Sequence, residues 1–74
     1  MRDIFENAKI GDVFRCNSFG RIKYKGINTN VDNELKFSAH DGRVFFTDLD
    51  GHVMIKTIDG GKRTYSDVLI VQEF

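Results

Sequence analysis

The sequence predicts a mainly β domain, a small antiparallel meander of five to six strands closing into a barrel. Three observations carry that reading. Asp-Gly recurs at a nine-residue period, at Asp41, Asp50 and Asp59, with β-prone residues between, and each pair is a tight-turn signal. Arg21–Lys25 and Leu35–Ala39 alternate apolar and polar residues at the period of a half-buried strand. The 74 residues contain no proline and no internal linker, so they form one domain. An SH3-like barrel is the first expectation, an OB-like barrel the second and a flat sheet with one open face the third. The nine-residue period is not a solenoid signal, because calcium-binding nonapeptides require far more than seven glycines.

Taken in order, Arg2–Lys9 reads as about two helical turns or as an extended arm, with Ile4, Phe5 and Ala8 at helical spacing. Asp3 and Lys9 suit the helix dipole, but so short a helix needs Ile4 and Phe5 docked on a core. Gly11-Asp12 opens a strand over Val13–Cys16, and Asn17–Gly20 is a turn. Arg21–Lys25 places Ile22 and Tyr24 on one face, Arg21, Lys23 and Lys25 on the other. Asn28–Asn33 is a polar loop, and Leu35, Phe37 and Ala39 face inward on the next strand. Lys62–Tyr65 and Val68–Phe74 form one strand interrupted at Ser66-Asp67, or two.

Two-residue Asp-Gly loops fix a register. About Asp41-Gly42, Ala39 faces Val44 and Phe37 faces Phe46. About Asp50-Gly51, Phe46 faces Ile55 and Val44 faces Thr57. With Asp59-Gly60-Gly61 as a three-residue loop, Ile55 faces Tyr65. The inner face is then Leu35, Phe37, Ala39, Val44, Phe46, Val53, Ile55 and Tyr65. A one-residue slip would invert the faces, and the two hairpins agree.

The single cysteine, Cys16, excludes an internal disulfide and suits a reducing compartment, most simply the cytoplasm. No signal-peptide pattern is present, and the longest apolar run, Val68–Val71, is a strand's worth. The formal net charge is zero, which argues against gripping nucleic acid by bulk charge. The charges are nevertheless segregated. The expected outer face carries Lys36, Ser38, Arg43, Phe45, Thr47, Met54, Lys56 and Ile58, joined by Arg21, Lys23 and Lys25. The acids fall mainly in turns and at the N-terminus.

Catalytic and metal patterns are missing. Cys16, His40 and His52 lack paired ligand spacing, and Cys16 reads as a small hydrophobe. Asp48-Leu49-Asp50-Gly51 fails the calcium-loop template, whose closing glutamate would fall on Thr57. No glycine-rich loop precedes a helix to cradle phosphate, so no cofactor, no metal and no enzymatic activity are expected.

The function expected first is a non-catalytic protein-binding module, an adaptor or small inhibitor of a larger intracellular protein. Phe45, Met54 and Ile58 would anchor it, with Lys36, Arg43 and Lys56 around them. The alternative is a weak nucleic-acid binder, with Arg21, Lys23, Lys25, Lys36 and Lys56 on phosphates and Phe45 stacking. A homo-oligomer through an exposed edge strand, Val68–Phe74, is the third. Richness in Asn, Lys, Ile and Phe suits a phage or mobile-element accessory protein.

Overall fold

The computed structural model describes residues 1–57 and 63–72. Strands β1 (Val13–Cys16), β2 (Gly20–Ile27), β3 (Leu35–Ala39), β4 (Val44–Thr47), β5 (His52–Thr57) and β6 (Arg63–Gln72) follow one short helix, α1 (Asp3–Glu6). The six strands neighbour one another in chain order and close into an antiparallel barrel through β6 and β1. This is the expected class, consistent with an SH3-like or OB-like barrel; the flat open sheet is excluded. Among the described residues no helix is long and apolar enough to cross a membrane.

Local chemistry explains the boundaries. Strand β2 outruns the alternating segment because Gly26, at φ +100°, absorbs a bulge between Tyr24 and Gly26 and lets pairing continue to Ile27. Strand β6 is continuous. The expected break at Ser66-Asp67 is a bulge instead: His52 pairs with Leu69 but Met54 with Tyr65, so β6 carries the extra residues. The Ser66 hydroxyl accepts the Val68 N–H there at 3.2 Å. The stretch expected to be a free edge closes the barrel, with Ile70, Val71 and Gln72 paired to Cys16, Arg15 and Phe14. The Asp59-Gly60-Gly61 loop, Ile58, Lys62 and Phe74 lie outside the described residues.

The register differs from expectation by one residue. Phe37 pairs with Phe45 and Ser38 with Val44, while Thr47 pairs with Val53. The cause is the turn chemistry. His40-Asp41-Gly42 is a three-residue loop in which the Gly42 N–H meets the Ala39 carbonyl at 3.0 Å. The Ala39 N–H then meets the Arg43 carbonyl at 2.7 Å, with Gly42 left-handed at φ +89°. Leu49-Asp50-Gly51 repeats the device, with Gly51 at φ +90°. This is a tight turn closed by a left-handed glycine and a bulge, the other hairpin that Asp-Gly encodes. Leu35, Phe37, Ala39 and Val53 face inward as expected, but Phe45 (8% exposed) and Thr47 are buried in place of Val44 and Phe46. Val44 is exposed and Phe46 half-buried. Ile55 is 60% exposed because β4 pairs β5 only at Thr47–Val53, beyond which β5 runs beside β6 alone. Tyr65 is half-buried.

The core is aromatic and centred on Phe37, whose ring lies 5.4–6.0 Å from those of Phe5, Phe14, Tyr24 and Phe45. The N-terminal segment plugs the barrel with one helical turn where about two were expected. The Arg2 N–H donates to the Leu49 carbonyl at 3.2 Å and the Arg2 guanidinium to the Ile70 carbonyl at 2.8 Å. Phe5 is 2% exposed, and burying a ring this fully stabilises by about 2–3 kcal/mol. Phe5 also packs on Gly51, where a Cβ would meet ring carbons at 2.7 and 2.8 Å. Gly42 has the same backbone conformation with nothing within 4 Å. Gly42→Ala should therefore cost only the left-handed penalty, about 1–2 kcal/mol. Gly51→Ala should cost about 1–2 kcal/mol more, because Phe5 must also move. Paired urea melts check this, and equal losses would place Phe5 away from Gly51.

Candidate binding face

The outward side of β1, β2 and β3 is cationic. These strands carry five cations, Arg15, Arg21, Lys23, Lys25 and Lys36, and no carboxylate. Alternation turns Arg15 outward between buried Phe14 and Cys16, and Arg21, Lys23 and Lys25 outward around buried Ile22 and Tyr24. The β1–β2 register sets Arg15 directly opposite Arg21. Like charges so placed destabilise a sheet by a few tenths of a kcal/mol, about 0.2–1. On the far side of β2, Lys23 pairs with Ser38, which pairs with Val44, and Lys36 pairs with Phe46. A shallow groove of about 280 Å³ runs between β2 and the β3–β4 turn. Arg21, Lys23, Lys25, Ser38, His40 and Gly42 line it.

The residues expected to bind are thus partly brought together and partly dispersed. Arg21, Lys23, Lys25 and Lys36 share the outer face. Phe45 does not: the register places it in the core, stacked on Phe19 at 4.3 Å and on Phe37 at 5.8 Å. Phe46 takes its place outside. Arg43 sits at the turn, its Nε 2.6 Å from Asp41 and its guanidinium over the Phe19 ring at 5.2 Å. The Arg43 N–H, then its guanidinium, hold the Asp41 carboxyl below the usual carboxylate range. Met54 lies on β5 opposite Tyr65, and its sulfur accepts from the Arg63 guanidinium at 3.3 Å. Lys56 stands opposite Thr64 on β6, and Ile58 lies outside the described residues. Arg15 was missed, although Phe14-Arg15-Cys16 carries the alternation that would have found it.

Two further clusters are accounted for by structure. Asp48, Asp50 and His52 bring their donor atoms within 4.8 Å. Asp48 is already used: its Oδ1 accepts the Asp50 and His52 N–H groups at 3.0 and 2.8 Å, and Oδ2 faces His52 Nδ1 at 3.0 Å. That is a side-chain cap of the hairpin loop. Glu34 is fully buried and joins Asn28, Arg63 and Tyr65, tying the β2–β3 loop to β6.

Compared with protein-family models, curated proteins and solved structures, the chain matches none.

Proposed function

We propose that this barrel is a non-catalytic binding module for single-stranded nucleic acid, using the outer face of β1–β3. The observation that carries the reading is five cations on three adjacent strands with no carboxylate among them, Arg15 and Arg21 set side by side. A polyanion laid across these strands would meet cations from all three. Alternate residues along β2 stand about 6.7 Å apart. Arg21, Lys23 and Lys25 so present charge at a step comparable to the phosphate repeat of an extended single strand. Phe46, cross-strand from Lys36, adds an aromatic surface beside that track, the combination that stacks bases. Net neutrality is compatible, since none of the chain's acids lies within these three strands.

A protein partner is the second reading. Its expected anchor Phe45 is core, but Leu69 and Val71 are 40% and 50% exposed on β6, Val71 directly beside Arg15. An apolar pair flanked by arginine suits an acidic protein surface.

Fluorescence anisotropy of labelled oligothymidylate separates the two. Five phosphate contacts predict affinity falling about a hundredfold between 50 and 200 mM salt. Lys23→Glu/Lys25→Glu should abolish binding while leaving the circular dichroism spectrum unchanged. No binding at 50 mM salt would overturn the nucleic-acid reading and leave the protein partner.

A further inference from the structure

The groove beside β2 carries a more specific assignment, which rests on the nucleic-acid reading. We infer that it seats one phosphoryl group of the bound strand, with His40 as a ligand whose protonation is linked to binding. The groove has the shape and donors for this. Arg21, Lys23 and Lys25 line it from β2; Ser38 contributes a hydroxyl and His40 an imidazole from β3 and its turn; Gly42 leaves one wall without a side chain. At about 280 Å³ it exceeds a phosphate alone and admits the attached sugar.

His40 shares the groove with cations from the neighbouring strand. Those on β2 are Arg21, Lys23 and Lys25. On its own turn Asp41 is the acid, and its carboxylate is held by the Arg43 N–H at 3.1 Å and the Arg43 guanidinium at 2.6 Å. An imidazole titrates between about pH 5 and 8. A phosphoryl group in the groove brings negative charge beside the ring. It draws a proton onto the ring, which then donates a charge-assisted hydrogen bond. Binding should therefore tighten as pH falls.

His52 provides an internal control, because it is the other of the two histidines and is paired with Asp48 in a different hairpin. The experiment follows both imidazoles by proton NMR, alone and with oligothymidylate, thymidine monophosphate or inorganic phosphate. The pKa of His40 should rise with each ligand while that of His52 stays fixed. Oligothymidylate affinity should fall roughly ten- to a hundredfold from pH 5.5 to pH 8, the worth of one charge-assisted hydrogen bond. His40→Asn should bind with a flat pH profile. Oligonucleotide binding that leaves residues 21–25 and 38–42 unshifted would overturn the groove and keep the nucleic-acid reading. Shifts there without movement of the His40 pKa would overturn the proton linkage. A response to oligonucleotide alone would overturn the seat for a single phosphoryl group. No binding at low salt would overturn both this assignment and the reading beneath it.

Discussion

Phe45→Asp unfolds the barrel, whereas Phe46→Asp leaves it folded and weakens oligonucleotide binding. The two phenylalanines are adjacent, so only the register separates them. Phe45 is 8% exposed and lies between the rings of Phe19 and Phe37, at 4.3 and 5.8 Å with interplanar angles of 12° and 18°. Removing such a ring costs about 3–5 kcal/mol. The aspartate adds the cost of a carboxylate between the Phe37 and Phe19 rings. A small domain holds about 5–15 kcal/mol in total, and this one has a single-layer core. Loss of near-ultraviolet circular dichroism and collapse of NMR dispersion are expected. At position 46 the aspartate faces outward beside Lys36, so the fold survives. Loss of a base-stacking surface is worth about 1–3 kcal/mol, roughly tenfold or more in affinity. The reverse outcome, with Phe46→Asp unfolded and Phe45→Asp folded, would restore the two-residue hairpin register.

That pair also marks where the sequence was legible and where it was not. Strands β1 and β3 have the expected bounds because their alternation and flanking turn residues agree. Closure of the barrel follows from many short strands with no proline. The inner faces of β4 and β5 were misread for a local reason. Asp-Gly serves both the two-residue loop and the three-residue loop with a left-handed glycine, and the choice moves the pairing by one residue. Both hairpins took the second option, so their mutual agreement could not reveal the slip. Consecutive Phe45 and Phe46 made it invisible to composition, since either parity buries one phenylalanine. Arg21, Lys23 and Lys25 lie outward as expected because the alternation of β2 needs no turn. Glu34 had no sequence signal at all: in Asn33-Glu34-Leu35 it reads as the end of a polar loop, and its partners Arg63 and Tyr65 lie about thirty residues away.

That buried carboxylate yields the other large effect. Both Glu34 oxygens are used: Oε1 accepts from the Asn28 amide at 2.8 Å, and Oε2 accepts from the Tyr65 hydroxyl at 2.9 Å and the Arg63 Nε at 3.1 Å. Glu34→Ala should destabilise by about 3 kcal/mol. The figure is toward the low end for breaking a buried pair because the Arg63 side chain, 25% exposed, retains some water. In a chain this short that lowers the melting temperature on the order of 15 °C. Glu34→Gln keeps the shape and should lose less. Equal, negligible losses for both would show that the loop is held by its backbone bond, the Asn28 N–H on the Glu34 carbonyl at 2.9 Å. The same network sets an alkaline limit. Burial, then the hydrogen bond to Glu34 and its charge, push the Tyr65 hydroxyl up to about 12. The folded state holds that proton more tightly than the unfolded chain, where tyrosine titrates near 10. The contribution is therefore complete below about pH 10 and lost as pH rises toward 12. Tyr24, raised by burial, acts in the same direction, so the difference between the native chain and Tyr65→Phe isolates the Tyr65 hydroxyl. Urea midpoints of the two proteins should draw together between pH 10 and 12. A constant gap across that range would mean the Tyr65 hydroxyl ionises alike in the folded and unfolded states.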